Sequence, residues 1–192
     1  MKSIALALLA ALTLSAGSAF ASPIEWTIAS GGNGHFYELV TDNPLLWNHA
    51  KVFAEARGGY LATLTSSAEN AFITNNILST LDGCHSCMWL GGFQDETSPF
   101  YSEPNGGWSW VTGEPWSYTN WDANEPGNSA GFEQYLTFQQ VTVAGGWNDH
   151  WDAYFSMQLV EYESNPIPEP STALLLGLGL AGMAAARRRR VS

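Results

Sequence analysis

The sequence predicts an α+β domain, with two helices flanking small antiparallel sheets and a long loop region toward its C-terminal end. Three observations predict it. Two segments, Leu46 to Ala54 and Phe72 to Leu81, carry apolar residues at helical spacing. Short apolar runs bounded by Gly, Asn and Pro turns lie on both sides of them and read as strands. Between Trp121 and Asp152 the chain is rich in Asn, Asp, Glu and Gly, with a proline and two tryptophans set among them.

The elements follow in order. Ile24 to Ile28 and His35 to Val40 read as strands around the turn Gly31-Gly32-Asn33-Gly34. Asp42-Asn43 offers an N-cap and Pro44 suits the first helical position. Leu46, Trp47, Ala50, Phe53 and Ala54 form the buried stripe of this first helix. Gly58-Gly59 ends it, because glycine accepts the left-handed conformation past a helix C-terminus. Tyr60 to Leu64 reads as a strand. Ser66-Ser67-Ala68-Glu69 has the spacing of a capping box for the second helix, whose buried face is Phe72, Ile73, Ile77 and Leu81. Asp82-Gly83 closes it. Met88 to Phe93, Tyr135 to Val143, a segment opening at Trp147 and Met157 to Tyr162 are the later strands.

Both ends of the chain stand apart from this domain. Residues 1–21 have a Lys2 start, an apolar run from Ile4 to Leu14 and Ala19-Phe20-Ala21 as a cleavage site, the pattern of a secretory signal peptide. At the other end, over residues 165–192, Pro168-Glu169-Pro170 precedes an apolar segment from Ser171 to Ala186 and then four arginines, Arg187 to Arg190. As a helix that segment spans about 24 Å, short of the roughly 30 Å hydrocarbon core of a bilayer. The order of these parts is similar to a PEP-CTERM sorting signal. The resemblance implies transient insertion in the inner membrane, processing by an exosortase, and delivery to the surface or exterior of a Gram-negative bacterium.

Charge narrows the partners. The chain holds seven bases and eighteen acids. Between Ser22 and Ser164 only Lys51 and Arg57 face seventeen acids, a net charge of −15. Nucleic acid is excluded as a partner, since phosphate binding needs a basic face. Such a surface suits divalent cations and solubility, and it disfavours acidic polysaccharide unless a cation bridges. Cys84 and Cys87 are the two cysteines. In an exported protein they predict a local disulfide.

The loop carries the chemistry. It contains Asn124-Glu125-Pro126-Gly127-Asn128, then Glu133, then Trp147-Asn148-Asp149. Carboxylates and amide oxygens are the ligands of a hard cation such as Ca²⁺. Together with Ala50…Ala54…Gly58-Gly59…Leu61-Ala62 and Met88-Trp89-Leu90-Gly91-Gly92-Phe93, these residues resemble the C-type lectin family over His35 to Glu161. The resemblance implies a C-type lectin-like fold for residues 22–164. It also implies one Ca²⁺ held by Glu125, Asn128, Glu133, Asn148 and Asp149, which with Trp121 would contact a sugar. Gly127 stands where the family's triplet places Asn, and Asn128 is the shifted candidate. Ala54, Tyr135, Asp152 and Val160 stand near the family's four usual cysteine positions. Trp116, Trp121 and Trp151 are candidates for stacking on a sugar face or for core packing.

No G-x-S-x-G or H-E-x-x-H motif occurs, and nothing sets two carboxylates at a catalytic separation, so no enzymatic activity is expected. The expected function is binding of a glycan or exopolysaccharide, through Ca²⁺. The alternative is a metal-independent protein-interaction or structural module of the biofilm matrix.

Overall fold

The computed structural model describes residues 22–41, 44–80, 88–139 and 143–167. Eight strands form one sheet: β1 (Ile24–Glu25), β2 (Phe36–Val40), β3 (Tyr60–Leu61), β4 (Met88–Gln94), β5 (Trp108–Trp110), β6 (Tyr135–Phe138), β7 (Trp147–His150) and β8 (Met157–Tyr162). Two helices pack against it, α1 (Trp47–Ala56) and α2 (Ser67–Asn76). The main path runs β1-β2-β8-β4-β6-β7, with β3 added on β8 and β5 on β4. The α+β class holds. The strands join a single mixed sheet, since β4 pairs with β8 in parallel while the other pairings are antiparallel.

β8 shows why this sheet is central. It pairs with β2, β3 and β4, and all six of its residues are buried. Burial on both faces requires a run without solvent-side positions, which Met157-Gln158-Leu159-Val160-Glu161-Tyr162 provides only if Gln158 and Glu161 find partners inside. Gln158 Nε2 donates to Val40 O at 3.1 Å while its Oε1 is buried without a hydrogen bond among the described residues, and Glu161 lies at the centre of a buried network. His35 Nδ1 stands 2.7 Å from Glu161 Oε1. Thr63 N donates to Glu161 Oε2 at 2.9 Å. Tyr37 Oη donates to Glu69 Oε1 at 2.5 Å and reaches Glu161 Oε1 at 3.3 Å.

Two clusters of apolar residues fill the space on either side. One joins α2 to the tryptophans, with Ile73, Leu90, Trp110, Leu136, Trp147 and Leu159 at its heart. The other joins α1 to the sheet through Trp47, Ala50, Ala54, Leu61, Trp89 and Val160. Ala54 and Val160, both fully buried, thus meet the need of two missing cysteines by packing. The other two positions both act on Trp47. Tyr135 stacks on its ring with centroids 4.6 Å apart, and Asp152 Oδ1 accepts its backbone N–H at 2.7 Å.

Several sequence expectations change at element ends. The first helix starts at Trp47 rather than at Pro44, because Leu45 pairs in extended form with Phe155. Its cap is therefore Asp152, 105 residues away, and Asp42-Asn43 lies outside the described residues. The helix does end at the glycine pair, with Gly58 at φ +81°. The capping box is half made. Ser66 Oγ accepts Glu69 N at 3.1 Å, but the Glu69 carboxylate turns to Thr65 and Tyr37 instead of to Ser66 N. The Ile24 to Ile28 strand stops at Glu25, and Thr27 caps a short 3-10 turn. Tyr60 to Leu64 pairs as a strand only to Leu61. Tyr135 to Val143 ends at Phe138, before a turn in which Gly145 takes φ +65°.

Candidate functional site

Two segments build the site: the loop from Trp121 to Glu133, and β7. They are tied together at the loop's entry. Trp147 N donates to Asn120 O and Asp122 N donates to Trp147 O, both at 2.8 Å. Trp121 sits edge-on to Trp108 at 4.9 Å and to Trp147 at 5.9 Å. Its ring, a candidate for sugar contact, is thus engaged with the aromatic core and only partly exposed. Trp116 is likewise packed on Trp108 and Trp110.

Asp122 was not singled out by sequence reasoning. It is buried, and its Oδ1 accepts Ala123 N at 2.7 Å and Val143 N at 3.2 Å. It fastens the start of the loop to the turn before β7. The available signal was a carboxylate directly after Trp121, at the point where apolar patterning stops.

Beyond Asp122 the loop makes two left-handed turns, at Asn124 (φ 69°) and Asn128 (φ 46°), and Asn tolerates that region. The Glu125–Pro126 peptide between them is cis. Asp149, fully buried, holds the loop from below. Its Oδ1 accepts Gly127 N at 2.8 Å and its Oδ2 accepts Asn128 N at 2.7 Å. Glu133 is buried and accepts the Ser129 N–H. Asn128 Oδ1 in turn accepts Glu133 N at 3.3 Å. Asn148, 9% exposed, lies beside Asp149 on β7 and pairs with Thr137.

Gly127 has a spatial reason. A Cβ at this position would stand 2.6 Å from Glu125 Oε2. The Glu125 carboxylate therefore lies over residue 127, in space that an Asn side chain there would contest.

The electrostatics follow from this crowding. Burial pushes the Glu125 carboxyl up to about 7, helped by the Asp149 charge, a hydrogen bond with Asp149, and the charges of Glu133 and Asp122. Burial also raises Glu133, while the Ser129 N–H opposes the shift. Lys51 pairs with Glu55 and Arg57 with Glu38, and the His150 side chain opposes the rise at Glu133. Three carboxylates and an amide oxygen are a donor set that suits a hard cation. Among the described residues, however, no group of three or more His, Cys, Asp or Glu is arranged to hold a metal ion as it stands. Both Asp149 oxygens accept loop amides.

The structure thus brings Glu125, Asn128, Glu133 and Asp149 to one loop, with Asn148 adjoining. Cys84, Cys87, the residues 1–21 and the motif Pro168-Glu169-Pro170 lie outside the described residues. No helix among the described residues is long and apolar enough to cross a membrane.

Comparison with known proteins gives the family. Residues 43–154 match the family described as Lectin C-type domain, so the chain belongs to the C-type lectin domain family. Residues 166–190 match the PEP-CTERM protein-sorting motif. The chain is 29% identical over 114 residues to C-type mannose receptor 2 of Mus musculus, covering 59% of this chain and 7% of that protein's length. It is 32% identical over 130 residues to a protein named Lectin from Pleurodeles waltl, covering 65% of this chain and 70% of that one. Among solved structures, the Ca²⁺-independent C-type lectin SPL-2 from Saxidomus purpuratus superposes with a TM-score of 0.54 at 25% identity, over 69% of this chain and 88% of that chain.

Proposed function

We propose that this is an exported carbohydrate-binding protein whose sugar contacts are made by the Glu125–Asp149 loop with Ca²⁺. The observation that carries the reading is the convergence of Glu125, Glu133 and Asp149, with Glu125 pushed up to about 7 by burial and its acidic neighbours. Lys51 and Arg57 pair with other acids, so a proton or an external cation would relieve the crowding at Glu125. Glu125, Asn128, Glu133, Asn148 and Asp149 would hold the ion. Held there, Ca²⁺ would accept oxygen ligands from neighbouring sugar hydroxyls. The chain's part is orientation. Asp122 and Asp149 fix the loop backbone, and the Glu125 and Glu133 carboxylates and the Asn128 amide offer hydrogen bonds to hydroxyls. Export rests on the sorting motif at 166–190, processed by an exosortase at the inner membrane.

Two experiments test this. Glycan-array binding by the mature exported protein is expected to disappear in chelator; binding that persists would reject the metal-dependent mechanism. Mass spectrometry of the extracellular fraction should find no peptide containing Met183; its recovery would show that the C-terminal segment is retained.

One observation favours a metal-independent reading on the same fold, as a matrix interaction module. Both Asp149 oxygens already serve the loop backbone, so the loop is held in shape by its own amides. SPL-2, a similar fold, is described as Ca²⁺-independent. Under that reading, glycan or protein binding would be unchanged by chelator.

A further inference from the structure

A cavity of about 260 Å³ opens between α2 and the chain that leads into the loop. One wall is a face of the helix: Ser67, Asn70, Ala71, Thr74 and Asn75 recur at the spacing of a single helical stripe. Tyr118, Asn120 and Ala144 face them. The core takes Phe72, Ile73 and Ile77 from this helix and leaves the polar stripe over. The chain holds eighteen acids, yet no acid or base lines the cavity. Glu125, Glu133 and Asp149 have no part in it.

Part of the stripe serves structure. Asn70 Nδ2 donates to Gly145 O at 3.1 Å, and Asn70 Oδ1 accepts the Trp147 indole N–H at 2.8 Å. Asn120 Nδ2 donates to the same Gly145 O at 2.8 Å and to Ala144 O at 3.2 Å. Gly145 is pressed on the helix, since a Cβ there would stand 2.3 Å from Thr74 Oγ1. These contacts clamp the turn before β7 to α2 and fix both walls before any ligand arrives, which lowers the entropic cost of binding. Other groups of the lining are unused. Among the described residues, Asn120 Oδ1, the Asn75 side-chain amide and the Tyr118 hydroxyl have no hydrogen-bond partner. Tyr118 is half-buried, with its ring edge-on to Trp147 at 5.5 Å. Burial holds its phenol above the ordinary value, so it stays a donor at neutral pH.

The chemistry of those groups selects the occupant. A carboxamide oxygen accepts, while a phenol and a carboxamide NH₂ donate. A peptide unit carries the complement, an N–H donor and a C=O acceptor. Ala71 and Ala144 add only methyl groups to the lining, which leaves room for small side chains. With no charge in the lining there is none for a ligand to pair with, and the acids elsewhere on the domain repel an anionic segment. Tyr and Asn are also side chains that protein-recognition surfaces favour, for contact area and adaptable hydrogen bonds. At about 260 Å³ the space lies just under the roughly 300 Å³ at which small-molecule pockets begin, so it takes a short stretch of main chain. We propose that this cavity docks an uncharged, extended segment of a partner protein, holding one peptide unit through Asn75, Tyr118 and Asn120. The contact is separate from the carboxylate loop and needs neither Ca²⁺ nor a sugar.

The test follows the amide NMR shifts of Thr74, Tyr118 and Gly145 in the mature exported protein, with N-acetyl-trialanine amide as the probe. Saturable shifts at these residues are expected at millimolar peptide, unchanged by chelator. Tyr118→Phe and Asn75→Ala should each lose about 2- to 12-fold in affinity, the range of one hydrogen bond. Ala71→Trp should fill the cavity and abolish binding. Circular dichroism should show these variants folded, since Ala71 and Asn75 are exposed and Tyr118→Phe removes only a hydroxyl. Should Ala71→Trp unfold, the two milder variants decide. No saturable shift in the wild type, or an affinity that both Tyr118→Phe and Asn75→Ala leave unchanged, would overturn the proposal. Peptide binding that disappears in chelator would overturn it as well, placing the peptide at the carboxylate loop. So would shifts at the same residues with N-acetylglucosamine and none with the peptide, which would assign the cavity to a sugar.

Discussion

Two clusters of acids, one in the body of the domain and one in the loop, are solved in opposite ways. In the body, Glu161 and Glu69 are saturated with donors from the protein: His35, Tyr37, Asn33, Thr63 and Thr65. In the loop, Glu125, Glu133 and Asp149 face one another, and their donors are backbone amides of the loop they shape. The first group ties β2, α2 and the segment after β3 to β8. The second leaves charge that the protein does not neutralise. The difference teaches that buried carboxylates are not by themselves a site. What distinguishes a site is acid chemistry left unfinished by the fold.

The largest expected effect lies in the body. Glu161→Ala removes the acceptor of three neighbours from a side chain 1% exposed. Breaking a buried charge network of this kind costs about 3–5 kcal/mol. Urea unfolding should show it, and a loss below about 1 kcal/mol would erase the contrast between the two groups. Glu125→Gln should do the reverse. It relieves like-charge crowding, so thermal stability at pH 8 should not fall, while sugar affinity should drop at least about tenfold. A variant that instead unfolds would place Glu125 with the structural acids.

Much of the fold was legible because its signals are local. The glycine pair after α1, the Ser66 cap and the apolar stripes act within one or two turns of chain. The loop's acids were legible as a spacing, from Glu125 to Asp149. What escaped were interactions that close over long sequence separations. Asp152 caps α1 across 105 residues, and no local pattern reports that. Its replacement by Ala should cost about 0.5–2 kcal/mol, read as a shift of the unfolding midpoint. The Glu161 network left one trace: an acid and an amide inside the otherwise apolar β8. Trp121 was a candidate for sugar contact because exposed and core tryptophans look alike in sequence, and its ring lies against Trp108 and Trp147. Trp151 lies outward for a reason equally invisible there, since β7 has ended at His150.

The smallest effect expected is on pH dependence. His35 is held above its ordinary 6.5 by its hydrogen bond to Glu161, against the cost of burial. Burial lifts Glu69 above its ordinary 4.5, while its hydrogen bond from Tyr37 pulls the other way. Both groups bind protons more tightly in the folded state, so stability falls as pH rises. The His35 contribution is complete below pH 6.5 and is lost as pH climbs through its raised folded value. Unfolding midpoints should decline from pH 6 to pH 8, and His35→Asn should flatten that decline. An unchanged slope in the variant would remove His35 from the account.

The central claim is that the loop acids await a cation and the body acids do not. Calorimetric titration of Ca²⁺ into the mature exported protein, beside Glu125→Gln and His35→Asn, tests it most directly. One site with a Kd of about 10⁻⁴–10⁻³ M, the range of extracellular modules, is predicted for the wild type. It should be lost in Glu125→Gln and kept in His35→Asn. No binding heat in the wild type, or an isotherm that Glu125→Gln leaves unchanged, would contradict the account.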